Sequence, residues 1–64
     1  MAEKLIRIGA VENRVGFRKS KLYQMVADKR FPCPLKIDGV SVWVASEVDA
    51  FIAEQIAKRE TAHD

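Results

Sequence analysis

Five of the eleven lysines and arginines in this 64-residue chain lie in one short stretch, residues 16–32, where they alternate with apolar side chains. Ammonium and guanidinium groups bind phosphates, and Lys, Gln and Ser side chains also form hydrogen bonds with base edges in the major groove of DNA. The stretch therefore predicts contact with a nucleic acid.

The types and positions of these side chains suggest different roles in that contact. We expect Lys19, Ser20 and Gln24 to reach base edges, while flanking side chains suit phosphates. The alternative is that the cationic face is only solvated, and that Tyr23 covers a core edge with its hydroxyl in water. The candidate DNA-binding residues are Arg18, Lys19, Ser20, Lys21, Tyr23, Gln24, Lys29, Arg30 and Lys36.

A helix is the element that must position these residues. At about 100° per residue, Leu22, Met25 and Val26 fall on one third of a helix circumference and predict its buried stripe. The polar residues lie on the opposite arc. Because Pro32 disfavours a helical Phe31, we expect this helix to end near residues 29–30.

A second, shorter helix is predicted just before it, over residues 9–15. Val11 and Val15 supply its buried stripe, and Gly16 is placed to cap its C-terminus. Two helices joined by a short glycine-containing turn are the signature of a helix-turn-helix.

Asp38-Gly39 lies between β-branched residues, and this pattern predicts a hairpin with a type I′ turn. Pro32 and Pro34 suit the edge of a sheet. The expected pairs are Ile37 with Val40 and Leu35 with Val42 on one face, and Lys36 with Ser41 on the other.

The two ends of the chain complete the predicted order. Residues 4–8 alternate as in a short strand, and Ser46 opens a last helix through a near capping box with Asp49. Strand, helix, turn, helix, hairpin and helix predict a mostly α winged helix-turn-helix. We expect one domain over residues 1–60 and a flexible tail at 61–64.

Charge and composition narrow the class of protein. Residues 1–31 hold eight basic and three acidic side chains, net +5, whereas residues 32–64 hold three basic and six acidic ones, net −3. A positive pole attracts polyanions such as DNA.

Charged residues near the N-terminus leave no room for a signal peptide, no apolar run is long enough to cross a membrane, and Cys33 is the only cysteine, so we expect a cytoplasmic protein.

An enzyme is not expected. The single histidine, His63, falls in the predicted tail, and Cys33 lies between prolines with no histidine near it in the sequence. Three glycines cannot build a phosphate-binding loop, and no ligand cluster for a metal is apparent. The sequence therefore predicts no catalytic residues, no metal site and no cofactor.

The ordered set of motifs resembles the AlpA family of phage-type regulators, which are winged helix-turn-helix domains similar to those of MerR-type regulators and small phage excisionases. The resemblance covers about fifty residues. Its motifs are Gly16-Phe17, the block of Ser20, Leu22 and Tyr23, the pattern of Arg30, Phe31, Pro32 and Pro34, then Trp43, and the run from Ser46 to Ile52. It implies sequence-specific DNA binding on a prophage or integrated element, with control of integrase or excisionase genes.

Two positions depart from the family pattern. Family members often have Ser or Thr where this chain has Arg18, and losing such a helix cap costs about 1 kcal/mol. Either Ser20 starts the helix later or Arg18 adds attraction for phosphate. Family wings usually carry an arginine near the tip, where this chain has Asp38, so we expect the wing to attract DNA weakly through Lys36 alone.

Other functions stay open at this point. The chain can act as an excisionase-like recombination directionality factor, and it can bind a second copy on adjacent sites or an integrase. A protein-interaction module is the main rival of another class, in which an acidic last helix binds a basic partner. RNA binding is less favoured because no exposed aromatic platform is apparent. The acidic residues concerned are Glu47, Asp49, Glu54 and Glu60.

Overall fold

The computed structural model of the chain describes residues 3–62. Its elements follow the predicted order and confirm the predicted class, mostly α with a small antiparallel sheet. They are β1 (Leu5–Arg7), α1 (Ile8–Val15), α2 (Lys19–Ala27), β2 (Leu35–Ile37), β3 (Val40–Val44) and α3 (Ala45–Ala62).

The turn between α1 and α2 is built as the sequence predicts. Gly16 has a φ of 83°, in the left-handed region that glycine adopts without a steric penalty. Its N–H donates a hydrogen bond to the Glu12 carbonyl oxygen at 2.7 Å, which caps the last turn of α1. The turn of residues 16–18 then leads into α2 and completes the helix-turn-helix.

The end of α2 lies earlier than the sequence suggested. The helix stops at Ala27, before the expected end near Lys29 and Arg30. The Lys29 N–H donates to the Val26 carbonyl oxygen at 3.0 Å, and the Arg30 N–H donates to that of Met25 at 2.8 Å. These are the two bonds of a Schellman cap. A lysine with a φ of 61° therefore ends the helix, where a glycine is usual.

The sheet has the strand order β1-β3-β2, and β3 pairs antiparallel with both neighbours. The hairpin register is the predicted one, with Lys36 opposite Ser41. Asp38 and Gly39 both have positive φ, as a type I′ turn requires. The first strand adds to the far side of this hairpin, where Ile6 faces Trp43.

The core lies between the inner face of the sheet and the three helices. Trp43 is fully buried, and its Nε1 donates a hydrogen bond to the Pro32 carbonyl oxygen at 2.9 Å. The α2 anchors Leu22 and Met25 are also buried, so the apolar stripe of α2 faces inward as predicted. The buried residues are Ile6, Val11, Leu22, Met25, Phe31, Trp43, Ala45 and Val48.

The start of α3 corrects the predicted capping box. The helix begins at Ala45, one residue before Ser46. The Ser46 hydroxyl donates to Glu3 Oε1 at 2.8 Å, and the Asp49 carboxylate pairs with Arg14 of α1. Ser46 and Asp49 therefore both bond to residues that are distant in the sequence, and not to the start of α3. At its other end α3 runs to Ala62, and the rest of the predicted tail lies outside the described residues.

Candidate nucleic-acid interface

The outward arc of α2 carries its polar side chains. Ser20 and Gln24 lie about 40° apart on the helix, opposite the buried pair of Leu22 and Met25, and both are exposed. Neither side chain forms a hydrogen bond with another described residue. Both are therefore free to bond to a ligand laid along α2.

Lys21 and Tyr23 lie about 160° apart on the helix and form the two flanks of this arc. The Lys21 Nζ atom lies 5.8 Å from the centroid of the Phe17 ring, on the side of the turn. Tyr23 lies on the side of the hairpin, where its ring centroid is 6.0 Å from that of Trp43. Tyr23 remains 39% exposed, so it covers the core edge while its outer part stays accessible.

Arg18 occupies the N-cap position of α2. Its backbone is extended, and its side chain forms no capping hydrogen bond. The helix begins at Lys19, so the alternative of a later start at Ser20 is wrong. An uncapped helix start leaves N–H groups that a ligand can use, because the first turn has no partners within the helix.

The charges of α2 have no internal counterpart. No acidic residue lies in its first turn, and Lys19 and Lys21 have no ion-pair partner among the described residues. By contrast, Arg14 of α1 pairs with Asp49 at 2.6 Å. The positive charge at the start of α2 is therefore available to an external anion.

Lys29 and Arg30 are placed differently from the other candidates. They follow the end of α2 and line an open groove whose opposite wall is α3, with Glu47 and Glu54. Arg30 also lies 3.5 Å from the Asp28 carboxylate. The structure thus groups these two cations with carboxylates and not with the outward arc.

The hairpin presents one cation. Lys36 is exposed and shares a sheet face with Ser41 and Trp43, the face that packs towards α2. Asp38 occupies the turn at the tip, with no basic residue beside it in the turn. The hairpin therefore offers one positive charge near α2 and one negative charge at its end.

One cation near α2 comes from a part of the chain that the sequence pattern does not group with it. Arg7, at the end of β1, lines a hollow of about 260 Å³ together with Ile8, Tyr23, Val40 and Ser41. No local sequence pattern predicts that Arg7 lies near Tyr23. Arg7 belongs to β1, which pairs with the edge of β3 opposite to β2.

Metal-ligating side chains do not cluster in the described part of the chain. No group of three or more His, Cys, Asp or Glu side chains there is arranged to hold a metal ion. Within residues 3–62, no helix combines the length and apolar character that crossing a bilayer requires.

Comparison with known proteins matches residues 4–56 to the family described as "Prophage CP4-57 regulatory protein (AlpA)". The chain is also similar to a protein of Enterobacteria phage P4 that bears the name "Uncharacterized protein ORF88". The two are 32% identical over 63 residues, which cover 97% of this chain and 72% of the phage protein. No solved structure matches significantly.

Proposed function

The chain belongs to the AlpA family of phage regulatory proteins, and we propose that it binds double-stranded DNA with α2 in the major groove. In a helix-turn-helix the second helix enters that groove with its N-terminal residues at the base edges. Ser20 and Gln24 then read bases, with Lys19 beside them at the start of the helix. Arg18, Lys21 and Tyr23 contact phosphates.

One observation carries this proposal: the cationic start of α2 is exposed and unpaired in the described residues, while the apolar stripe of the same helix is buried. The helix is held rigidly by Leu22 and Met25, so its polar arc is presented in a fixed orientation. A helix of about 10–12 Å diameter also fits a major groove about 12 Å wide.

Salt dependence tests the proposal most directly. We expect the logarithm of the affinity for a 20-base-pair duplex to fall with the logarithm of salt concentration, with a slope of about −4 to −5, which corresponds to about four to six phosphate contacts. A protein-interaction module built on the acidic α3 would show no such slope with DNA. Affinity that is independent of salt would contradict the proposal.

Substitutions on α2 separate base contacts from phosphate contacts. Gln24→Ala or Ser20→Ala should reduce the preference for the target sequence over random DNA, because a side chain at a base edge is lost. Lys21→Gln should weaken binding to every sequence about equally. If Gln24→Ala kept the full sequence preference, the assignment of α2 as the reading helix would be wrong.

At the level of genes, we propose that the protein acts in the cytoplasm on transcription of integrase- or excisionase-type genes of a prophage or integrated element. An excisionase-like role in recombination, with a second copy on an adjacent site or an integrase beside it, is the alternative. Footprinting on the DNA that flanks the gene separates the two, because protection would fall at a promoter in the first case and at an attachment site in the second.

A further inference from the structure

The hollow between α2 and the hairpin is lined by one basic residue and by two residues that carry hydroxyl groups. Arg7, Tyr23 and Ser41 line it, and the two other lining residues, Ile8 and Val40, are apolar. The Arg7 side chain is exposed and has no hydrogen-bond or ion-pair partner among the described residues. No carboxylate lines the hollow, and the first turn of α1 beside it contains no acidic residue.

The position of the hollow relates it to the outward arc of α2. Tyr23 forms one flank of that arc and also one wall of the hollow. Because a helix nearly fills the width of the major groove, the two DNA backbones pass along its two flanks. The backbone on the Tyr23 side would therefore run past the mouth of the hollow.

The cations of α2 itself, Lys19 and Lys21, lie in its first turn. Further along the Tyr23 flank α2 itself supplies no lysine or arginine. The fold brings two other cations to this side: Arg7, which lines the hollow, and Lys36, which lies opposite Ser41 in the hairpin. An arginine can bond to two oxygens of one phosphate at once, and tyrosine and serine hydroxyls also bond to phosphate oxygens.

We propose that this hollow is a phosphate-binding subsite for the DNA backbone on the hairpin side of α2, with Arg7 as its charged ligand and Tyr23 and Ser41 as hydrogen-bond donors. The inference rests on the proposed function, since it requires α2 to lie in the groove. It adds Arg7 and Ser41 to the interface and gives Tyr23 a specific partner.

The test measures binding of a 20-base-pair duplex across a range of salt concentrations for wild type, Arg7→Gln and Arg59→Gln. Arg59 is an exposed arginine near the end of α3, so its variant is matched in charge. We expect Arg7→Gln to weaken binding about five- to tenfold near 0.1 M salt and to reduce the slope by about 0.9. Arg59→Gln should leave both unchanged.

Two further variants guard against an effect on folding. Arg7→Lys keeps the charge, so it should retain the wild-type slope and lose only a few-fold in affinity, because an ammonium group cannot form the two-pronged contact. Ser41→Ala should weaken binding slightly at an unchanged slope. The Arg7 and Ser41 variants should melt at the wild-type temperature, since neither of these two side chains has a hydrogen-bond or ion-pair partner among the described residues.

The outcomes separate this inference from the proposed function. If wild type binds DNA with the expected slope but Arg7→Gln behaves like Arg59→Gln, the subsite is wrong and the recognition helix stands. The subsite is also wrong if Arg7→Lys is as weak as Arg7→Gln. If wild type itself shows no salt-dependent binding, the proposed function fails first.

Discussion

The N-terminal turns of α2 and α3 differ in charge. Glu47 lies in the first turn of α3, where a negative charge interacts favourably with the helix dipole. The first turn of α2 contains Lys19 and Lys21 and no acidic residue. Each such lysine destabilises the helix by about 0.3–1 kcal/mol.

Caps and partners widen this difference. At the start of α2, Arg18 provides no side-chain hydrogen bond, whereas Asp49 in α3 pairs with Arg14 and joins α3 to α1. Charges in α3 thus stabilise the domain, and charges in α2 work against its own helix. Natural proteins accept such local conflicts at functional sites, so the comparison indicates that the α2 charges serve an anionic ligand outside the chain.

Reversing the two lysine charges at the start of α2 should have the largest effect. We expect Lys19→Glu with Lys21→Glu to lower affinity for a 20-base-pair duplex at least about a hundredfold near 0.1 M salt, since two attractions become repulsions. The same variant should have a free energy of unfolding about 1 kcal/mol higher and should melt at a higher temperature, because two negative charges in the first turn interact favourably with the helix dipole. Fluorescence anisotropy and thermal melting measure the two effects.

The matched control is Lys58→Glu with Arg59→Glu, which makes the same change in net charge near the end of α3. This control should lower stability, and it should reduce DNA affinity far less than the Lys19→Glu/Lys21→Glu variant does. Equal losses of affinity in the two pairs would mean that net charge, and not the surface of α2, controls binding.

A substitution that adds a side-chain cap to α2 should have a smaller effect. Arg18→Ser should raise stability by about 1 kcal/mol, since a hydroxyl at the N-cap accepts a hydrogen bond from the first turn. It should also weaken DNA binding about five- to tenfold, through loss of one phosphate contact. Arg18→Ala removes the same charge without adding a cap, so denaturant titration should show no comparable increase in stability. Equal stability of the two variants would contradict the assignment of Arg18 as the N-cap residue of α2.

The smallest effect is expected at the other end of α2. Lys29→Gly should raise stability by about 0.5–1 kcal/mol, because the residue there has a φ of 61° and glycine adopts it without steric cost. Lys29→Ala keeps the Cβ and should show no such gain in denaturant midpoint. Since Lys29 lies in the groove lined by Glu47 and Glu54, both variants should change DNA affinity little, and a loss as large as that of Lys21→Gln would place Lys29 in the interface.

Local patterns accounted for those parts of the fold that depend on neighbouring residues. The hairpin register follows from Asp38-Gly39, which must adopt positive φ in a two-residue turn. The inward stripe of α2 follows from the spacing of Leu22, Met25 and Val26, and these residues are buried or packed against the core. The candidate residues of α2 were therefore placed correctly on its exposed side before their neighbours were known.

Predictions were wrong where a distant residue or a backbone cap decided the outcome. Ser46 and Asp49 do not form the predicted capping box. Ser46 bonds to Glu3, just before β1, and Asp49 pairs with Arg14 of α1. The end of α2 is set by a left-handed lysine, which no propensity favours. Neither partner could be read from a local pattern, because each contact joins residues far apart in the chain.

The amino-acid sequence is enough to predict the order of helices and turns, which side of α2 is apolar, and that its polar side is cationic, because these properties depend on spacing within a few residues. What surrounds that polar side depends on contacts between elements that are distant in the sequence. The pairing of β1 with β3 places Arg7 at the hollow that Tyr23 and Ser41 also line, and Lys29 and Arg30 line a groove together with Glu47 and Glu54 of α3. Those placements depend on how whole elements pack around the Trp43 core, which no short window of sequence contains.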